Sequence, residues 1–250
     1  MSDSGISVVI PVRDERENLG PLWDELRPVL EGLGKSFEVL FVDDGSEDGS
    51  VEVLEGIACA DGRVRVIRLE SPSGQSAALD AGFRAAREDL VITLDADLQN
   101  DPADIPLLLE RLGTLDALAG YRVGRRDPRM RRISSRIANY VRDRVTGDPV
   151  LDTGCSLKVF RRRCLDRIRP FDGMHRFLPT LLRLEGFRVG QSPVRHRPRV
   201  WGCSKYGMRG RLFRGLTDLL AVRWMIRRKL GYRLKGETAF RERERNSRAG

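Results

Sequence analysis

Histidine and cysteine are scarce in this chain, which has two His and four Cys among 250 residues. The cysteines form no Cys-x-x-Cys pair, so neither a zinc site nor a disulfide framework is indicated. Cysteines left unpaired in this way fit a reducing compartment.

Long hydrophobic runs are also missing. Nowhere does the chain offer the roughly 18 uninterrupted apolar residues that a membrane-spanning helix requires. The N-terminal segment MSDSGISVVIP has acidic and small residues where a secretory signal carries basic ones, and no longer apolar core follows. We therefore expect a protein that is soluble or bound peripherally to a membrane.

Acidic residues are in the minority: 36 Asp and Glu stand against 45 Lys and Arg, which gives a formal net charge of +9. A basic balance suits anionic partners such as nucleic acid, an anionic membrane surface or a phosphorylated substrate, and it does not choose among them. With 40% hydrophobic residues, the chain can bury a substantial core. Its length fits one domain with appendages.

Short apolar segments alternate with segments of helical spacing through the first half of the chain. The pattern predicts strands at 6–10, 39–42, 64–69 and 91–94, with helices between them such as the alanine-rich 76–87. Repetition of this kind predicts an α/β fold, with a parallel sheet covered by helices on both faces.

Paired carboxylates follow two of the predicted strands. Asp95 and Asp97 come after the apolar strand of LVITLDADLQNDP, and Asp43 and Asp44 end the strand of EVLFVDDGS. The carboxyl ends of strands face the ligand crevice of an open α/β sheet. Asp95 and Asp97 can converge on one hard divalent cation only if the backbone leaves strand geometry between them. An isolated Asp-x-Asp would more often be a solvated turn, but this chain has two such pairs.

Four segments together resemble the family-2 glycosyltransferases and, within them, the polyprenol-phosphate glycosyltransferases: VVIPVRDERENL, VLFVDDGSEDGS, VITLDADLQNDP and RVWGCSKY. They occur in family order between Ile6 and Trp224. The resemblance implies a GT-A, Rossmann-like nucleotide-diphosphosugar transferase fold with a mostly parallel central sheet. It also implies a GDP- or UDP-linked sugar donor and a Mg²⁺ or Mn²⁺ cofactor.

The resemblance assigns donor-binding roles along the chain. The segment after the first strand would hold the nucleoside, with Arg13 where many relatives have an aromatic residue. The residues implied in donor binding are Pro11, Arg13, Glu15, Asp43, Asp44, Gly74, Gln75, Asp95, Asp97, Gln99 and Arg122. Gly74 and Gln75 are the weaker members, because their loop departs from the family pattern. Proline at position 11 is expected to end the first strand.

The cation and acceptor sites are assigned in the same way. Asp97 would be the main metal ligand, with Asp95 contacting ribose or metal and Gln99 near the pyrophosphate or sugar. Asp152 of DTGCSLK would act on the acceptor side, either as a base or by orienting sugar hydroxyls, since a phosphate acceptor needs no base. The residues implied in binding the acceptor phosphate are Arg122, Arg199, Ser204 and Lys205. Arg199 and Lys205 would clamp the donor diphosphate and the lipid phosphate together.

The basic run 122–136 has seven Arg and suits either a solvated loop or a mobile basic loop beside the active site. Residues 1–208 are expected to form the catalytic domain, and 233–250 a charged, disordered tail. Between them, 209–232 has a broad apolar stripe with Arg at both ends. Such a helix lies in a membrane interface or docks on the catalytic domain, and the first is favoured because the implied reaction needs a lipid.

These observations predict an inverting, metal-dependent transferase that moves a sugar onto a polyprenyl phosphate at the cytoplasmic face of a membrane. Many relatives continue into membrane-spanning helices and this chain does not, which leaves room for a separate membrane protein as partner. One alternative is a soluble family-2 glycosyltransferase acting on a saccharide hydroxyl. A non-catalytic, basic nucleotide- or nucleic-acid-binding module is the third option, and nucleic acid is not expected because few aromatic residues accompany the basic ones.

Overall fold

The computed structural model of the protein describes residues 4–123, 144, 147, 150–199, 201 and 208–229. Within these residues there are seven strands: β1 Ile6–Val12, β2 Phe37–Asp43, β3 Val64–Arg68, β4 Leu90–Thr93, β5 Ala117–Arg122, β6 Lys158–Arg161 and β7 Val189–Val194. They form one sheet in the order β3-β2-β1-β4-β6-β5-β7.

The pairing is parallel except at β6. β1 pairs in parallel with β2 and β4, β2 with β3, and β5 with β7. β6 runs antiparallel to both of its neighbours, β4 and β5. The predicted α/β class with a mostly parallel sheet is therefore confirmed.

Helices cover both faces of the sheet. The described helices are α1 Arg16–Gly32, α2 Ser50–Ala60, α3 Gln75–Ala85, α4 Ile105–Leu112, α5 Arg162–Leu165, α6 Leu178–Leu184 and α7 Met208–Arg227. One buried apolar cluster joins the sheet to α1, α2 and α4, and a second joins it to α3, α5, α6 and α7. Side chains in β1 alternate between them, with Ile6, Val8 and Ile10 in the first and Val9 in the second.

The helix α3 lies close against the sheet because of one glycine. A Cβ atom at Gly82 would lie 2.3 Å from the Cγ1 atom of Val9. Only a residue without a side chain lets the helix approach this near. The N-terminus of α3 is thereby held at the carboxyl edge of β1 and β2, where the polar residues gather.

The expectation that Pro11 ends the first strand is wrong. β1 continues through Pro11, which pairs with Val42, to Val12. On its other side β1 pairs with β4 only as far as Val9. Pro11 therefore falls where β4 has already ended, and its missing N–H removes no ladder hydrogen bond there.

The apolar stripe of the C-terminal helix α7 is divided between core and solvent. Leu219 and Val222 are buried in the second cluster, and Asp218 pairs with Arg176 at 3.6 Å. Leu220 and Trp224 lie one turn apart and are 61% and 63% exposed. The helix thus packs on the sheet through the second cluster and still presents an apolar pair to solvent. In the part of the chain that the structure covers, no helix is both long and apolar enough to cross a membrane.

Candidate active site

Polar residues gather at the carboxyl edge of the sheet, where β1, β2, β4 and β5 end. β1 leads to Arg13 and Glu15, β2 to Asp43 and Asp44, β4 to the Asp-x-Asp pair, and β5 ends at Arg122. These strands are neighbours or near neighbours in the sheet, so the predicted donor residues come together. Ser204, Lys205 and the basic run from 124 to 136 lie outside the described residues.

The backbone does leave strand geometry between Asp95 and Asp97. β4 ends at Thr93, residues 96 and 97 form a turn, and Leu98 has a positive φ of 59°. The Gln99 N–H donates to Asp97 Oδ1 at 3.1 Å and closes the turn. The geometric condition for two carboxylates to face one cation is therefore met.

Ser156, which the sequence motifs do not single out, joins this turn to the loop that precedes β6. Its Oγ accepts the Asp95 N–H at 3.2 Å and donates to Asn100 Oδ1 at 3.2 Å. Its carbonyl accepts from Thr93 Oγ1 at 2.5 Å. The sequence signal for Ser156 is its place in DTGCSLK, four residues after Asp152. The Asp95–Asp97 turn and the loop before β6 are thus one hydrogen-bonded unit.

The negative charge of Asp95 is disfavoured by its surroundings in the folded protein. Burial, together with the nearby charge of Asp97, raises the pKa of Asp95 to about 6. Its Oδ1 accepts from Gln75 Nε2 at 2.8 Å, which brings that weaker candidate into the site.

Two converging carboxylates under mutual repulsion fit a hard divalent cation, which prefers oxygen ligands and would relieve the repulsion. Within the described ranges, no group of three or more His, Cys, Asp or Glu residues is arranged to hold a metal. Further ligand positions would therefore fall to water or to a bound anion.

Lys158 is a second residue that the motif analysis passed over. It lies in β6 opposite Thr93 and is only 3% exposed. Its Nζ donates to the Cys155 carbonyl. Burial lowers its pKa, while the charges of Asp95 and Asp152 favour the protonated form. A lysine charge beneath the acidic residues partly offsets their repulsion.

Arg122, at the end of β5, forms a two-pronged ion pair with Asp152 of the loop before β6. Arg122 Nε donates to Asp152 Oδ2 at 2.6 Å, and Arg122 Nη2 donates to Oδ1 at 2.9 Å. The Arg122 N–H also donates to Oδ2 at 3.2 Å, and the Gly154 N–H donates to Oδ1 at 3.0 Å. Each oxygen of Asp152 accepts two of these hydrogen bonds, which hold the carboxylate in place.

The loop after β1 is held against the loop after β2. Asp14 has a positive φ of 47°, and its N–H donates to Ser46 Oγ at 2.8 Å. The Glu47 N–H returns a bond to Asp14 Oδ1 at 2.7 Å. Asp43, which is 2% exposed, accepts from the Ser46 N–H at 3.2 Å. Arg13 and Glu15 are therefore carried on a bonded pair of loops.

Asp44 holds the loop that opens α3. Its Oδ1 accepts the Ser73 N–H at 2.6 Å, and its Oδ2 accepts the Gly74 N–H at 2.9 Å. Gly74 has a φ of 92°, a conformation that favours glycine. Arg13 lies 3.7 Å from Asp44 Oδ2.

Three arginines after β7 fasten the chain to a row of acids. We call Arg195, Arg197 and Arg199 the arginine ladder. Arg195 bonds Asp104 at 2.9 Å and Asp101 at 3.1 Å, while Arg197 bonds Glu25 at 2.6 Å and Asp101 at 2.9 Å. Arg199 places Nη2 2.9 Å from Asp97 Oδ2 and Nη1 3.3 Å from Glu15 Oε1. Alternate residues of an extended segment lie on one face. The Arg residues at every second position of RHRPR, residues 195–199, are therefore spaced to form such a row.

His175 ties the start of α3 to the turn at residues 174–176. Its Nδ1 lies 2.8 Å from Ser76 Oγ, which also accepts the Gly173 N–H at 3.0 Å. Burial, aided by the charges of Arg176 and Lys158, lowers the pKa of His175 to about 3. The imidazole is neutral and structural in this position.

Sequence comparison identifies the family and its relatives. The model for "Glycosyl transferase family 2" matches residues 7–169. A dodecaprenyl-phosphate galacturonate synthase of Rhizobium johnstonii is 37% identical over 230 residues, 90% of this chain and 68% of that protein. An undecaprenyl-phosphate 4-deoxy-4-formamido-L-arabinose transferase of Salmonella paratyphi B is 38% identical over 86% of this chain and 66% of its own length. The chain thus spans about two thirds of these relatives.

Solved structures share the fold. Glucosyl-3-phosphoglycerate synthase from Mycobacterium tuberculosis, in complex with Mn²⁺ and UDP-glucose, has a TM-score of 0.66 at 21% identity and covers 88% of this chain and 79% of its own. A mannosyltransferase from Pyrobaculum calidifontis with GDP-mannose and Mn²⁺ has a TM-score of 0.65 at 18% identity, over 92% of this chain and 65% of its own. The architecture is the GT-A fold. The chain belongs to glycosyl transferase family 2 and is a glycosyltransferase.

Proposed function

We propose that this glycosyltransferase moves a sugar from a GDP- or UDP-linked donor to the phosphate of a polyprenyl phosphate, with inversion at the anomeric carbon. The observation that carries the proposal is the fully engaged Asp152, set beside a carboxyl edge that gathers Asp95, Asp97, Asp43 and Glu15. The names of the two curated relatives, both polyprenyl-phosphate sugar transferases, support the choice of acceptor.

The donor would lie along the carboxyl edge of β1, β2 and β4. Asp43 and the Arg13–Glu15 loop stand at the end where a nucleoside fits, and Asp44 fixes the loop that opens α3. Arg13 is 43% exposed along its side chain, so its guanidinium would be accessible to a base stacked on it, beside Asp44. Glu15 accepts from Asn18 at 2.5 Å and is already oriented by the fold.

Asp95 and Asp97 would hold Mg²⁺ or Mn²⁺, with Gln99 nearby. The cation, when bound, neutralises charge on the departing nucleoside diphosphate. The Asp97 carboxylate accepts from the Gln99 N–H and from Arg199, the Asp95 carboxylate accepts from Gln75, and the Asp95 N–H donates to Ser156. The contacts from Gln75 and Gln99 orient the two carboxylates before a donor arrives, which lowers the reorganisation needed on binding.

The state of Asp152 favours a phosphate acceptor over a saccharide hydroxyl. A hydroxyl acceptor needs a base with an available lone pair, whereas both oxygens of Asp152 already accept hydrogen bonds from Arg122, and Oδ1 also accepts one from Gly154. A phosphate oxygen is already anionic at neutral pH and needs no base. In the proposed step, that oxygen forms a bond to the anomeric carbon while the bond from this carbon to the diphosphate breaks. Asp152 would then serve to hold Arg122 towards the anions.

The acceptor phosphate would be met by Arg122 and Arg199, joined by Ser204 and Lys205 of the motif. Two anions approach each other in this reaction, so cations are required between them. Arg199 is 28% exposed along its side chain and lies between the nucleoside side and the metal side of the site.

The membrane surface would be met by the solvent face of α7, at the cytoplasmic side of the bilayer. Leu220 and Trp224 are exposed there, and Arg227 and Arg228 are exposed beside them. Exposed apolar side chains flanked by cations are typical of helices that bind anionic bilayer surfaces. A separate membrane protein could share this surface.

A two-stage experiment tests the proposal. Thermal shifts with GDP, UDP and their sugar conjugates, each with and without Mn²⁺, would identify the donor base, because a ligand of the folded state raises stability. The matching radiolabelled nucleotide-sugar is then incubated with undecaprenyl phosphate in micelles, and the lipid phase is counted. Label that enters the lipid and is released by mild acid supports the proposal. Label that enters only saccharide acceptors would favour the hydroxyl-acceptor alternative.

A further inference from the structure

Arg199 occupies the carboxylate that the cation would need. Asp97 is 8% exposed, and both of its oxygens have donors: Oδ1 accepts the Gln99 N–H at 3.1 Å, and Oδ2 accepts Arg199 Nη2 at 2.9 Å. A divalent ion that binds Oδ2 directly must compete with this guanidinium. Two cations at one carboxylate oxygen also repel each other.

The rest of the arginine ladder does not depend on this contact. Arg195 is bonded to Asp101 and Asp104, and Arg197 to Asp101 and Glu25. The Arg197 N–H also donates to the Gln99 carbonyl at 2.8 Å. The segment is therefore anchored before it reaches Arg199, whose side chain can exchange one anion for another without detaching the chain.

We propose that Arg199 is a resident counter-cation that makes cation binding conditional on a bound diphosphate. This rests on the proposed function, since it names the regulation of the same donor site. Without a donor, Arg199 neutralises Asp97 and opposes Mg²⁺ or Mn²⁺. A donor diphosphate offers Arg199 another anion and frees Asp97 Oδ2 for the ion. When the nucleoside diphosphate leaves, Arg199 returns to Asp97 and weakens the hold on the ion.

The test is the Mn²⁺ affinity of the purified full chain, measured by the electron paramagnetic resonance signal of free Mn²⁺, with and without GDP or UDP. Arg199→Ala should bind Mn²⁺ about tenfold more tightly than wild type in the absence of nucleotide, because a charge-assisted hydrogen bond no longer competes. The factor by which nucleotide tightens Mn²⁺ binding should fall by about the same amount, since coupling is reciprocal.

Two controls keep the test specific. Arg199→Lys retains a cation beside Asp97, so its Mn²⁺ affinity should stay near that of wild type. It also gives a second substitution at this position in case the Ala variant does not fold. Arg197→Ala breaks the neighbouring rung and should leave Mn²⁺ binding near wild type. If Arg197→Ala bound Mn²⁺ as tightly as Arg199→Ala does, the tighter binding would come from loosening of the segment and not from removal of the Arg199 side chain. That result would overturn the inference.

The inference also fails if Arg199→Ala binds Mn²⁺ as wild type does, or more weakly, while nucleotide binding persists in both proteins. In that case the proposed function stands. If no form of the protein binds nucleotide or Mn²⁺, both the donor site and the inference are overturned.

Discussion

Asp95 should destabilise the metal-free protein, and its replacement by Asn should stabilise it. The pKa of Asp95 is raised from an ordinary 3.8 to about 6, first by burial and then by the charge of Asp97. Each pKa unit corresponds to about 1.4 kcal/mol, so the charged form is disfavoured by about 3 kcal/mol in the folded state. Asn has the shape of a protonated Asp and can still accept from Gln75. For a chain of this size, the gain corresponds to a rise in Tm of about 6 °C at pH 7.5.

The pH dependence has a definite sign. Because the folded pKa lies above the unfolded one, the folded state binds the proton more tightly, and stability falls as pH rises from about 4 to about 6. The advantage of Asp95→Asn should therefore shrink to about 1 kcal/mol at pH 4.5. Carboxylates with lowered pKa values, such as Asp61 at about 2, make stability rise with pH instead. They are present in both proteins, so they do not affect the difference between them.

The assay is thermal and urea unfolding of both proteins between pH 4.5 and 7.5, with a chelator present. A variant less stable than wild type at pH 7.5, or a difference that does not change with pH, would refute the reasoning. Mn²⁺ with nucleotide should then raise the Tm of wild type by more than it raises that of Asp95→Asn, because the ion relieves the repulsion only where the carboxylate remains.

Three further predictions concern the site and the membrane. Asp97→Ala should lower sugar transfer by about 10²-fold or more, through loss of a charge-stabilising group, and near-normal turnover would remove the metal assignment. Lys205→Ala should lower transfer about tenfold with little change in Tm, since a charge-assisted bond to phosphate is lost; a defect in Tm alone would contradict the clamp. Replacing Leu220 and Trp224 together by Ser should weaken co-sedimentation with anionic liposomes by about 10²-fold, because each exposed apolar side chain contributes about 1.5 kcal/mol or more on burial. Unchanged sedimentation would place the membrane contact elsewhere.

The Asp pairs and the positions of the first four strands could be predicted because their signals are local. The predicted helix 76–87 is observed at Gln75–Ala85, and the turn between Asp95 and Asp97 is present as required. Hydrophobic runs that end in carboxylates are visible within a dozen residues, and parallel strands bring their carboxyl ends to one edge without further information.

Other parts of the site depend on contacts between distant residues. Arg199 was singled out as a phosphate ligand, but its bonds to Asp97 and Glu15 join residues 102 and 184 positions apart. Lys158 looks like a surface residue because β6, Lys-Val-Phe-Arg, has charges at both ends. Only the insertion of β6 between two other strands buries it. In α7, Leu219 is buried and its neighbour Leu220 is exposed. This difference also depends on which face of the helix packs against the rest of the protein.

The antiparallel strand β6 has a consequence for how the chain is made. β1 to β4 can pair in parallel as soon as they have been synthesised, but β5 is joined to them only through β6, which begins at Lys158. Until then the apolar β4 is an open sheet edge, and such edges recruit other chains. We expect the nascent protein to be most prone to aggregation at this stage. The same strand brings Ser156 to the Asp-x-Asp turn, so a chain that stalls there lacks the hydrogen bonds that hold this turn.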